Sequence, residues 1–193
     1  LLSGEGGTGP SAEVDGALFH AARRLPVRAE YLSEIGLAVP AFVNSLAQIL
    51  RQGVVLMIDY GFGESEYYHP QRAEGTLMCH YRHHAHGDPF YLPGLQDITA
   101  HVDFSAVAAA AAESGLDLLG YTTQSSFLIN CGIAELLGET SPEDVNAYFP
   151  LVSQAQRLLS PAEMGELFKV VALGKGICEP LSGFAAGDKS RML

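Results

Sequence analysis

Residues 54–58 read Val-Val-Leu-Met-Ile, five apolar side chains in a row, and Asp59, Tyr60 and Gly61 follow at once. A run so short and so uniformly apolar predicts a parallel strand covered on both faces. Ahead of it, "VPAFVNSLAQILRQ" from Val39 to Gln52 sets Phe42, Leu46, Ile49 and Leu50 at helical spacing, with Pro40 in the first turn and Gly53 as the stop. Helix, glycine, buried strand and then polar residues is the order of an α/β sheet. Ligands of open α/β sheets sit beyond the carboxyl ends of the strands, so Asp59 and Tyr60 stand where chemistry is usually done.

A chain of 193 residues, 48% of them hydrophobic, is long enough to bury one core. Twenty-two acidic residues against 11 basic ones give a formal charge of −11. No basic stripe is left to meet phosphates, so nucleic acid is excluded as a partner, and a basic protein suits the surface better. Cys79, Cys131 and Cys178 are far apart and form no CxxC pair, which speaks for a reducing compartment. No apolar run reaches the roughly 20 residues that span a bilayer, and the first residues lack the pattern of a signal peptide. Neither membrane nor export is expected.

"LLSGEGGTGP" contains G-x-G-x-x-G at Gly4, Gly6 and Gly9, the pattern of a nucleotide-binding turn. Such a turn needs a buried strand before it and a helix after it, and neither fits around Pro10. A short strand or turn is expected within 19–28. Residues 62–101 show little periodicity and read as a long functional loop. "DFSAVAAAAAESG" reads as an alanine helix with Asp103 or Ser105 as N-cap and Gly115 as the stop. A strand from residue 116, a helix over 125–137, a capping box at Ser141 and Asp144 and a last strand over 165–174 complete the chain. The tail after Gly176 is expected to be loose.

Five of the seven histidines fall within residues 75–104, which raises metal binding at His80, His83, His84 and His86. Their spacing suits zinc, but the turn residues that follow do not focus ligands as a helix would. A polar loop or a substrate contact are the competing readings. In "QDITAHVDF", Gln96, Asp97, Thr99, His101 and Asp103 alternate with apolar residues, so an extended segment shows one polar face. Asp103 has the plain alternative of capping the alanine helix.

The blocks "YLSEI", "GVVLMIDYGFGESEYYHP", "GTLMCHYRHH", "LPGLQDITAHVDF", "QSSFLINCGI" and "MGELFKVVALG" run in order from residue 31 to residue 174. This series resembles the C-terminal half of MidA-type proteins, S-adenosylmethionine-dependent methyltransferases whose mitochondrial members act in respiratory complex I assembly by methylating arginine. The resemblance implies an α/β fold, the C-terminal part of a Rossmann-like class I methyltransferase sheet of order 3-2-1-4-5-7-6, with strand 7 antiparallel. Residues 54–59, 116–123 and 166–173 become strands 5, 6 and 7, and the N-terminal strands have no counterpart. Residues 1–26 are then a poorly defined N-terminal segment, 27–176 the C-terminal half of the methyltransferase-like domain and 177–193 the tail.

S-adenosyl-L-methionine is the implied cofactor, held by loops of the missing half, so tight binding by this chain is not expected. Arginine methylation needs carboxylates whose geometry matches the guanidinium fork, and a base. Asp59, Glu34, Asp97 and His101 are the catalytic candidates; Tyr60, Gly61, Tyr81, Gln96 and Asp103 are the substrate-binding ones. Glu34 has the alternative of a first-turn acid ahead of the 39–52 helix. The implied partner is a basic protein, such as a respiratory complex subunit, and the setting is a bacterial cytoplasm or a mitochondrial matrix. An apolar strand with one edge uncovered invites pairing with a second copy, so a dimer through the open sheet edge is a further expectation. A non-catalytic assembly module and a His/Asp metal-dependent hydrolase are the alternative functions.

Overall fold

The structure, a computed structural model, describes residues 31–193. The glycine pattern at Gly4–Gly9, the strand or turn within 19–28 and the segment 1–26 lie outside the described residues. In chain order the helices are α1 (Val39–Ile49), α2 (Glu64–Tyr67), α3 (Phe104–Glu113), α4 (Gln124–Asn130), α5 (Ile133–Gly138) and α6 (Val145–Leu159). The strands are β1 (Gly53–Phe62), β2 (Met78–Tyr81), β3 (His84–His86), β4 (Asp97–Thr99), β5 (Val102–Asp103), β6 (Asp117–Thr123) and β7 (Phe168–Lys175). The chain divides into two compact units: residues up to Ala38 with Ser65–Ala100, and Val39–Glu64 with His101–Leu193.

The larger unit is built on a four-stranded mixed sheet of order β5-β1-β7-β6. β7 runs antiparallel to both β1 and β6, whereas β5 runs parallel to β1 and pairs with it only at Gly61 and Phe62. This corrects the expectation of a parallel strand covered on both faces. Val55 and Met57 of β1 pack against a core that includes Val43, Phe104, Val107, Ala111, Val171 and Leu173. Val54, Leu56 and Ile58 point to the other face and stay 37%, 44% and 47% exposed. Over β7 that second face is covered: Val170 and Ala172 pack with Phe184, Leu119, Phe127 and Leu181. Leu56 and Ile58 stand directly opposite Ala172 and Val170 in register, so the cover ends at β1.

α1 forms where its spacing predicts, but its buried residues are Val43 and Ala47, with Val39 and Leu50 packed beside them. Phe42 and Ile49 lie exposed on the opposite side. The face is chosen by α3, whose Ala110 and Ala111 bury no bulk and so admit a neighbour closely. Asp103 is the N-cap of α3, its Oδ1 accepting from the N–H groups of Ser105 and Ala106 at 3.0 and 3.1 Å. The chain leaves α3 through Gly115 at φ +74, a conformation that glycine adopts without steric cost.

Three expectations need correction here. The helix expected over 125–137 is two helices, because Cys131 and Gly132 break it, with Gly132 at φ +86. α6 starts later than the capping box implied: Asp144 is the N-cap, accepting from the N–H of Ala147. The tail after Gly176 is packed rather than loose, because β6 has an outer edge that needs covering. Thr122 Oγ1 donates to the Gly187 carbonyl at 2.7 Å, Lys189 N donates to the Tyr121 carbonyl at 2.6 Å and Phe184 packs over Val170.

The smaller unit contains a second sheet, of order β3-β2-β4 and antiparallel throughout. The segment expected as a long loop is thus partly strand. Arg82 and His83, at φ 48° and 67°, form a two-residue connection from β2 to β3. That left-handed pair suits the twist of a tight hairpin, although neither residue is a glycine.

Candidate active site

Two carboxyl ends of strands meet in the larger unit. β1 delivers Asp59, Tyr60 and Gly61, and β5 delivers Asp103 just after His101. Tyr60 packs edge-on against His101, centroids 5.2 Å apart, and against Phe168, centroids 5.5 Å apart. Phe62 meets the same imidazole at 5.0 Å. His101 is therefore walled by aromatic rings of β1. Gly61 is required by this closeness: a Cβ there would lie 2.2 Å from the Val102 carbonyl oxygen. The Asp59 carboxylate is exposed at the strand end, and its Oδ1 accepts from the N–H of Tyr60 at 2.8 Å.

Lys169 was not a candidate from sequence, yet it faces this end of the sheet. On β7 it stands directly opposite Asp59 of β1 and Thr123 of β6, so an acid, a base and a hydroxyl form one row across three strands. Its residue is only 7% exposed; its ammonium donates to the Glu166 carbonyl and lies 5.4 Å from the Phe62 ring centroid. A charged residue kept that far from water needs such partners. The signal in the sequence was a lone lysine within the apolar strand "FKVVAL".

The remaining candidates belong to the smaller unit. Both oxygens of Glu34 are engaged: Oε1 accepts from the N–H groups of Thr76 and Leu77 at 2.9 and 2.8 Å, and Oε2 accepts from Thr76 Oγ1 at 3.1 Å. Glu34 therefore pins the turn at Gly75, where a Cβ would meet its carboxylate at 2.3 Å. It also lines a hollow of about 690 Å³ together with Glu74 and Met78. Nearby, Tyr31 donates to the His69 carbonyl at 3.3 Å. Burial raises the pKa of its phenol, Arg72 opposes that shift and Glu34 adds to it.

Gln96 ties a loop by donating to the Pro89 carbonyl at 2.8 Å, and Tyr81 meets Tyr91 and the Arg82 guanidinium. Asp97 pairs with His80 across β4 and β2. The histidines of this unit are spread over a hairpin rather than focused on a point. Among the described residues no group of three His, Cys, Asp or Glu side chains is gathered as metal ligands.

Neither glycine that follows the apolar strand is open to an adenosyl cofactor. Gly61 and Gly63, the glycines after the apolar strand, are filled by protein: Gly61 by Val102 and Phe104, Gly63 by Met192 and Leu193. Both glycines thus serve close packing within the chain.

An α/β sheet with polar side chains gathered beyond its strand ends defines the class of open α/β proteins that bind ligands there, and comparison with known proteins narrows it. Residues 8–122 match the profile of a family described as "Putative S-adenosyl-L-methionine-dependent methyltransferase". The chain belongs to this family, as a member of its MidA type.

Curated relatives include the mitochondrial protein arginine methyltransferase NDUFAF7 of Danio rerio, 32% identical over 72% of this chain and 31% of the relative. The Drosophila melanogaster homologue is 31% identical over 80% of this chain and 35% of the relative. A Burkholderia thailandensis crystal structure described as a "likely methyl transferase", bound to S-adenosyl-homocysteine, is 55% identical with a TM-score of 0.82, covering 84% of this chain and 42% of that one. A native structure from the same organism is 52% identical with a TM-score of 0.86, covering 91% and 48%. The chain thus spans about a third of the length of the curated relatives it matches. Among the described residues no helix is long and apolar enough to cross a membrane.

Proposed function

We propose that this chain is the C-terminal portion of a protein arginine methyltransferase, and that it supplies the acceptor side of the site while S-adenosyl-L-methionine is held by the portion preceding it. The observation that carries this reading is the sheet. β1, β7 and β6 stand in the order of strands 5, 7 and 6 of a Rossmann-like methyltransferase, with the middle strand antiparallel. Among the described residues the free edge of β1 is paired only at Gly61 and Phe62, which leaves room for the missing strands beside Val54–Tyr60. Coverage of only 31–48% of the relatives supports the same view.

S-adenosyl-L-methionine provides the methyl group in this family; the residues of this chain would hold and deprotonate the acceptor. Asp59 is exposed beyond β1 and has the geometry to take a guanidinium through paired hydrogen bonds. His101, held against Tyr60 and Phe62, is the base that receives the proton. Tyr60 and Gly61 shape that end, and Asp103 fixes it by capping α3. In the smaller unit Glu34, Tyr81, Gln96 and Asp97 support the segment that meets the substrate protein. That protein is basic, in keeping with the charge of −11, and a respiratory complex subunit in a mitochondrial matrix or bacterial cytoplasm fits the relatives' names.

Calorimetry with S-adenosyl-L-methionine, on this chain and on one extended upstream, tests the reading. Binding by the extended chain alone is expected. Tight binding by this chain alone overturns it, as does a sheet in solution whose β1 edge is filled by a second copy even when the upstream portion is present.

A further inference from the structure

We propose that the groove where α4, α5 and α6 meet is a docking site for a lysine- or arginine-bearing amphipathic helix of a partner protein. The groove encloses about 590 Å³, is lined by Leu128, Ile133, Leu136 and Leu158, and carries Glu135 and Glu139. It lies wholly within the larger unit, on helices remote in sequence from Asp59 and His101, and so goes beyond the methyl-transfer reading.

The groove is a product of one turn. Gly132, at φ +86, redirects the chain from α4 into α5, and the gap left between the two helices is closed from one side by Leu158 of α6. α5 is only six residues long and buries none of them fully, with Leu136 still 58% exposed. So short a helix is marginal alone and takes its stability from what it packs against.

Charge says what kind of neighbour suits it. Glu135 and Glu139 are one turn apart, a spacing at which like charges repel. Glu139 is the C-cap of α5, where the helix dipole disfavours an anion, and the last turn holds no basic residue. Neither carboxylate is paired among the described residues. Cations from outside relieve both conflicts. Four residues of helix rise about 6 Å, so lysines at i and i+4 of a helix lying alongside α5 meet the two glutamates in register. Leucine-like side chains at i, i+3 and i+7 of the same helix fill the groove in the usual helix-in-groove mode.

The test uses a synthetic helical peptide of about 18 residues, five turns, with leucines at i, i+3, i+4 and i+7 and lysines elsewhere. A scrambled peptide of the same composition is the control. Binding by the full chain is compared with Glu135→Lys/Glu139→Lys and with Glu113→Lys/Asp117→Lys, which changes net charge equally at other exposed positions. The first variant is expected to weaken binding about tenfold or more and the second less than about threefold.

Cys131 lines the groove and Cys178 is exposed elsewhere in the chain, so their relative alkylation rates, read by mass spectrometry, report occupancy without any substitution. The peptide should slow Cys131 and leave Cys178 unchanged. Equal weakening by the two variants, equal binding of the scrambled peptide, or an unprotected Cys131 each overturns the assignment.

Discussion

The Asp188 side chain accepts, through Oδ1, a hydrogen bond from the backbone N–H of Tyr121 at 3.1 Å. A side chain from the C-terminal segment thereby substitutes for a strand neighbour on the outer edge of β6. The same oxygen accepts from Ser190 N and Ser190 Oγ at 3.0 and 2.7 Å. Burial pushes the pKa of this carboxyl up, but the hydrogen bonds from Ser190, Tyr121 and Lys189 together outweigh it, and the net shift is below the ordinary 3.8.

A carboxyl with a lowered folded pKa adds stability above its unfolded value and loses it as pH falls through the folded one. Asp188→Asn should therefore melt at a lower temperature than the parent at pH about 7, with the gap closing as the buffer is taken below pH about 4. Melting curves across that range check it. A gap that is constant with pH would mean that the carboxylate charge contributes nothing.

The turn at Arg82 and His83 asks two residues with Cβ atoms to adopt left-handed backbone. Each pays a steric cost of about 1 kcal/mol that asparagine and glycine largely avoid, and the stacking of Arg82 on Tyr81 returns only part of it. Arg82→Asn combined with His83→Gly is expected to stabilise the chain by about 0.5–1 kcal/mol in urea unfolding. No gain would show that the hairpin is held by β4 and not by its turn.

Leu56 provides a test of the second sheet face. It is 44% exposed here, so Leu56→Asp should cost less than about 0.5 kcal/mol in this chain. In a version extended upstream the same change should cost about 2–4 kcal/mol, because the added portion is expected to bury that position and a buried charge is then left unpaired. Equal costs in the two proteins count against an upstream portion that covers this face.

Asp59 and His101 are tested in the extended protein by incorporation of labelled methyl groups into its protein substrate. Asp59→Asn should lower turnover about a hundredfold or more while leaving S-adenosyl-L-methionine affinity unchanged. His101→Gln should lower it similarly and flatten the rise of rate with pH on the acid side. Unchanged turnover in Asp59→Asn would move the acceptor site elsewhere.

Strong local signals made α1, β1 and β7 legible in the sequence: a helical spacing, a glycine stop and unbroken apolar runs. The cap Asp103 could be read because a short acidic side chain has few other tasks before a helix, whereas at α6 the capping box pointed to Ser141 and the cap is Asp144 three residues on. β2, β3 and β4 could not, since three or four residues do not establish a period and their turn lacks glycine. The face of α1 was misread because Phe42 and Val43 are both apolar, and only the closeness of α3 decides between them.

Lys169 escaped notice for a related reason: its role depends on Asp59, 110 positions away in sequence but directly opposite in register. The docked tail was invisible because Gly, Ser and Asp signal loops whether or not a strand edge lies underneath.

The missing side chain at position 61 has a use outside this molecule. With the Val102 carbonyl only 2.2 Å from where a Cβ would sit, the pairing of β1 and β5 tolerates a single amino acid just ahead of α3. A distant sequence that aligns here with anything larger must launch its following helix along another path. One letter of the alphabet thus gauges whether two chains share this geometry, before either is crystallised.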